Sequence, residues 1–185
     1  MGVDIYGVDP IMRSMGPEEI DWTTATDEQI DQYYEDLSQH RDLNPGIYFR
    51  ASWWGWRPIV GIVNLLAPEI DTTSWHYNDG TGLTDSEECK ALAELIDNWL
   101  SDNTLYTDNN DSIYVNFGSW RTADDKMLDP DKADFLNVLY PIGTVVPGMI
   151  ATSEGELVQT SHVTDVSHLK EFSNFLKECN GFKIY

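Results

Sequence analysis

Two short stretches carry the residue types that bind or act on ligands. The first runs Tyr48-Phe49-Arg50-Ala51-Ser52-Trp53-Trp54-Gly55-Trp56-Arg57-Pro58. Indole faces attract planar and cationic groups, and a guanidinium fork matches a carboxylate or a phosphate. Arg50, Trp53, Trp56 and Arg57 are therefore a candidate ligand set, suited to stacking a base and clamping a phosphate. The competing reading is structural: aromatics in front of an apolar helix are core, and the two arginines pair with carboxylates. The second stretch is Ser74-Trp75-His76-Tyr77-Asn78-Asp79-Gly80-Thr81-Gly82. Trp75 adds aromatic surface, His76 is a candidate general base, and Asp79 is its orienter or a metal ligand. Asn-Asp-Gly is also ordinary turn chemistry, which is the competing reading here.

No standard catalytic fingerprint accompanies these stretches. The chain has no GxSxG, Walker loop, GxGxxG or HExxH. Cys89 and Cys179 lack zinc spacing and fall on apolar faces of expected helices, so they read as small buried hydrophobes. Asp108-Asn109-Asn110-Asp111 has the composition of a calcium loop but neither its spacing nor its distal Glu. His162 and His168 have no partner pattern and are expected at the surface. No cofactor and no metal are expected.

Around the aromatic island the chain is strongly acidic. It has 32 acids and 11 bases in 185 residues, a formal net charge of −21. Residues 1–45 carry net −9 and residues 71–140 net −11, while residues 46–70 carry net +1. Such a field repels nucleic acid and anionic membranes and attracts basic protein surfaces. The acids are spaced among apolar residues, which fits folded acidic faces rather than a tail. Solubility or a salty habitat would account for the same charge; twenty Asp against six Lys fit that habitat, and eleven Asn fit it less well. No run is long enough for a membrane span, and Met1–Pro10 does not read as a secretory signal, so a cytoplasmic location is expected.

The elements that must position these residues are legible in part. Met1–Val8 alternates as a strand. Thr26 and Gln29 make a capping box for a helix to about His40, with Ile30, Tyr33, Tyr34 and Leu37 on one face and acids on the other. Residues 18–42 thus read as a possible appended acidic arm. Ile47–Phe49 is a short strand, and Pro58 suits the first position of an apolar, buried helix ending before Pro68. Thr84 and Glu87 form a second capping box. It opens a helix with Leu92, Leu95, Ile96, Trp99 and Leu100 on one face. Ile113–Phe117 reads as a strand. Asp129-Pro130 starts a helix with Phe135, Leu136 and Leu139 inward. Ser153-Glu154-Gly155 turns a hairpin. Residues 164–179 form a last helix, followed by a short strand over Phe182–Tyr185 that pairs with the first. The fold class is α+β, a single domain over 1–185. Its mixed or antiparallel sheet of about four or five strands is covered by four or five helices.

The opening MGVDIYG, the central YFR followed by WGWRP, the HYNDGTG turn and the closing FLKECNGF resemble a family of uncharacterised bacterial and phage proteins. The resemblance covers the two ends and residues 46–100, and residues 10–45 and 104–160 read as insertions. It implies that Arg50, Trp56, Arg57 and Asp79 belong to a recurring pattern. It carries no established activity and hence no catalytic residues. A phage or mobile-element origin would favour an anti-defence role.

Two readings follow. In the first, the chain is a non-enzymatic, acidic interaction protein of the anti-CRISPR or anti-restriction type. It occupies the basic surface of a nucleic-acid-binding protein such as a nuclease, and binds neither nucleic acid nor membrane itself. Its contact residues are Asp27, Glu28, Asp31, Glu35 and Asp36 on the arm, with Glu87, Glu88 and Glu94 on the second acidic helix. In the second, the chain binds a small ligand or nucleotide phosphate, or is an enzyme, through Arg50, Trp53, Trp56, Arg57, Trp75, His76 and Asp79.

Overall fold

The first and last strands lie side by side in the computed structural model, which describes residues 2–102 and 111–185. Strand β1 (Gly2–Gly7) is flanked by β2 (Tyr48–Ser52) and by β9 (Phe182–Ile184), both antiparallel to it. Alternation decides the faces: Val3, Ile5, Phe49, Ala51, Phe182 and Ile184 point into the core.

That core is completed by three helices: α2 (Trp53–Leu66), α3 (Ser86–Asp102) and α5 (Val166–Glu178). Helix α2 is apolar nearly all round and is buried accordingly over Trp56 and Pro58–Val63. Helix α3 buries Cys89, Leu92, Ala93 and Ile96; α5 buries Leu169, Phe172, Phe175 and Leu176. Both cysteines are free and buried, Cys179 just after α5.

The α+β class is as expected, but the strands of the described residues are divided among three small antiparallel sheets. The second sheet has β3 (Ser112–Val115) between β5 (Val145–Val146) and β8 (Val163–Asp165). In the third, β7 (Leu157–Thr160) lies between β4 (Trp120–Thr122) and β6 (Ile150–Ala151). The hairpin at Ser153–Gly155 forms, as β6 and β7. Its flanking residues separate, with Val145-Val146 and Val163–Asp165 pairing to β3 instead. Helix α4 (Pro130–Leu139) contributes Leu136 to the core of this half, with Ala133 packed against it. This second, smaller core is Trp120, Leu128, Leu136, Val146 and Val158. Leu136 faces inward as expected; Phe135 and Leu139 do not, and remain exposed beside the hollow that α4 forms with β6.

Helix α1 (Asp27–Leu43) forms with the predicted Thr26–Gln29 capping box. It packs lightly, and among its residues only His40 is buried. Ile30, Tyr33 and Leu37 are half-buried, Tyr34 is exposed, and Trp22 folds back against both tyrosine rings. The helix is fastened at its C-terminal end. There the Asn44 side chain donates to the His40 carbonyl and to Ser14 Oγ, each at 2.7 Å. Arg13 pairs with Glu178 at the end of α5.

Two helix starts differ from the sequence reading. Helix α2 begins at Trp53, because Ser52 caps it by accepting from the Gly55 amide at 3.0 Å. Pro58 therefore lies inside the helix and leaves the Trp54 carbonyl without its usual donor. Helix α3 is capped by Asp85 and not by Thr84: its carboxylate accepts from the Glu87 and Glu88 amides at 2.8 and 2.9 Å. The expected calcium-like composition over 108–110 lies outside the described residues. Among the described residues, no helix is long and apolar enough to cross a membrane.

Candidate functional site

The start of α2 divides the aromatic island by helical geometry. Trp56 points inward and is fully buried, donating from Nε1 to the Trp75 carbonyl at 2.8 Å. Trp75 is 1% exposed and stacks on Trp56 with ring centres 6.0 Å apart. These two indoles, counted in the sequence-derived ligand set, are instead core, because an apolar helix needs wide side chains beneath it. Trp53 is half-buried against the same core. Trp54 and Arg57, three residues apart and so on one face, turn outward. Trp54 is 61% exposed, and the Arg57 guanidinium carbon lies 5.7 Å from its ring centre, within cation–π range.

Arg50 goes elsewhere. On β2 it faces solvent, 3.6 Å from Asp4, and lines a separate hollow bounded by Ser52, Thr164 and His168. Trp54 also borders that hollow, so Arg50 and Arg57 do not meet in a single site.

Arg57 faces a hollow of about 530 Å³ that the sequence did not reveal. Trp53, Trp54 and Arg57 come from α2, and His76 from the 3-10 turn Thr73–His76. Phe117 and Ser119 come from the β3–β4 loop, and His162 from the β7–β8 turn. The hollow thus lies where the two halves of the molecule meet. Gly61 makes the junction close: a Cβ there would stand 2.8 Å from Val115 Cγ1 and 2.9 Å from the Phe117 ring. Among the described residues, no carboxylate lines the hollow.

His162 is not a surface residue, being 4% exposed. Its ring lies between Trp54 and Phe117, with centres 5.5 and 5.0 Å away. Nδ1 is 3.2 Å from Ser161 Oγ, while Nε2 is buried with no hydrogen-bond partner among the described residues. A buried unpaired ring nitrogen is uncommon and calls for an explanation. Both His162 and His76 titrate below the ordinary histidine range, first because burial penalises the charged form and then because of the positive charge of Arg57. Both imidazoles are thus biased to the neutral form, with one nitrogen free to accept. His168 is half-buried, its ring tilted against that of Phe49 with centres 4.8 Å apart.

Asp79 does not orient His76; no hydrogen bond joins them among the described residues. Its carboxylate instead accepts from the Thr81 amide at 3.0 Å and the Thr81 hydroxyl at 2.6 Å, which hold its pKa low. Gly80 follows at φ +83, completing a turn that a side chain would strain. The expected base–orienter pair is therefore a turn plus an independent histidine. Among the described residues, no group of three acids, histidines or cysteines is placed to hold a metal.

All eight predicted contact acids are exposed. Among the described residues, Glu87 alone of them has a cation, Lys90 one turn on, and Asp36 accepts from Gln32. Helix α1 carries six carboxylates: Asp27, Glu28, Asp31, Glu35, Asp36 and Asp42. At about 100° per residue, all but Asp36 fall within roughly a 100° arc, opposite the half-buried face. The signals that sequence reasoning missed are His162, Phe117 and Ser119, which approach Arg57 only through sheet pairing. No family model, curated protein or solved structure matches this chain.

Proposed function

We propose that the protein is a non-enzymatic, acidic binding protein that occupies the basic nucleic-acid-binding surface of another protein. The reading rests on the carboxylate stripe of α1. Five of its six acids share one face, and from Asp27 to Asp42 they span about 23 Å of helix axis, an average step of roughly 6 Å. One strand of duplex DNA carries a phosphate about every 3.4 Å along its axis. A row of carboxylates along one helix face offers a groove built for phosphates a line of negative charge of the same sign, though more widely spaced than a DNA strand. Attachment at one end leaves the stripe open to solvent, and the overall charge of −21 steers a basic partner toward it. An inhibitor of the anti-restriction or anti-CRISPR kind would work in this way, displacing nucleic acid by the electrostatics that recruit it.

The test is capture from host lysate on immobilised protein at low and high salt, with duplex DNA as competitor. A nucleic-acid-binding protein should be retained at low salt, released at high salt and displaced by DNA. Reversing Asp31, Glu35 and Asp36 to Lys should abolish its retention. Retention that ignores the triple reversal would refute the assignment of the stripe.

A further inference from the structure

We propose that the hollow at the start of α2 is a binding site for a mononucleotide, with Arg57 holding the phosphate and Trp54 the base. Three independent observations support it. First, the cation at its mouth lies over the Trp54 ring and has no carboxylate partner among the described residues. Arg13, Arg50 and Arg121 each have a carboxylate partner, and Arg41 lies over the Tyr48 ring. In a chain with 32 acids, Arg57 has no carboxylate within ion-pair distance among the described residues, and none lines the hollow. An anion arriving there meets a guanidinium fork that no carboxylate already holds.

Second, the hollow has an indole wall. Trp54 is the most exposed tryptophan of the island, already stacked on Arg57 on one side. Exposing that ring costs hydrophobic free energy, which a stacked base would recover; base–aromatic stacking contributes about 1–3 kcal/mol per base. The volume of about 530 Å³ lies within the range typical of small-molecule sites.

Third, a polar group waits unsatisfied beside it. His162 is more than nine-tenths buried, lines the hollow next to Trp54, and its Nε2 has no partner among the described residues. A ligand hydroxyl or base edge reaching past Trp54 would supply the missing hydrogen bond. Leaving such an atom unpaired has a free-energy cost that binding would relieve. The site shares no residue with the acidic stripe, so either proposal can fail alone.

The experiment is titration of the full chain with AMP, GMP, CMP and UMP, followed by tryptophan fluorescence and calorimetry. Adenosine and inorganic phosphate serve as separate probes of the two halves of the ligand. At least one monophosphate should quench the fluorescence saturably and bind at least tenfold more tightly than either half alone. Arg57→Gln and Trp54→Ala should each weaken it tenfold or more. Both residues are exposed, so the variants should melt like the parent. Arg50→Gln, in the neighbouring hollow, should bind normally. Inorganic phosphate binding as tightly as every nucleotide would overturn the assignment. So would no response to millimolar nucleotide, or an Arg57→Gln variant that binds unchanged while folded.

Discussion

Helices α1 and α2 flank the same strand, β2, and differ in nearly every physical respect. Helix α1 buries one residue, His40, and presents six carboxylates to water. Helix α2 buries seven residues and carries Arg57 as its only charge. The first is held by capping, aromatic contacts around Trp22 and a polar fastening at Asn44; the second is held by the core itself. A helix the core does not need is free to carry a dense charge pattern. A helix the core depends on can present chemistry only where it emerges, at its first turns. The lesson is that the two proposed interaction surfaces are energetically separate, and that their mutations should behave differently.

The largest effect should come from Trp56→Ala. It opens a cavity in the main core and removes the hydrogen bond to the Trp75 carbonyl. A loss of about 3–5 kcal/mol is expected, seen as a lowered midpoint in chemical denaturation. A loss below about 1 kcal/mol would mean that α2 is less central than its burial implies.

Thr26→Ala should cost about 1 kcal/mol, and the loss should be confined to α1. Hydrogen exchange should quicken in residues 27–43 while the amides of α2 stay protected. Equal quickening in both helices would break the comparison. Smaller still is the effect of Asp31, Glu35 and Asp36→Lys on folding. Exposed substitutions usually stay within about 0.5 kcal/mol each. The thermal midpoint should barely move even though partner binding is lost.

The subtlest prediction concerns pH and belongs to the α2 side. His76 and His162 have folded pKa values depressed below the usual value of about 6.5. The unfolded chain therefore binds protons first. The stability tied to the neutral rings is fully present above about pH 6.5 and is lost as pH falls through the depressed folded values. His162→Gln should flatten that part of the stability profile, measured by denaturation at a series of pH values. An unchanged slope would place the dependence elsewhere.

Much of the fold was legible because local chemistry and periodicity agreed. The apolar face of α5, that of α3 apart from the exposed Leu95, the Thr26 and Asp129 caps, the pairing of the chain ends and the Ser153–Gly155 hairpin all follow from short windows. The misses have equally physical causes. Strand β4 has three residues, too few to alternate visibly, and β5 and β6 have two each. Which helix start is used depended on competition between adjacent caps, Ser52 against Pro58 and Asp85 against Thr84. Helical spacing could not say how many of α4's apolar side chains the small core would reach: Leu136 is buried, while Phe135 and Leu139 stay exposed.

Helical pitch and residue order are enough to align the carboxylates of α1, so its acidic stripe is a local consequence of the sequence. The burial of α2 is another, because a helix apolar all round has no other stable place. Which members of the aromatic island face solvent depended on long-range packing. It sent Trp56 and Trp75 to the core, separated Arg50 from Arg57, and brought His162 and Phe117 to Arg57 across more than fifty residues of sequence. The reason is that side-chain direction along one helix is a local property. The approach of β3 and β8 to α2 is instead set by strand pairing and by the close contact at Gly61, which no local window contains.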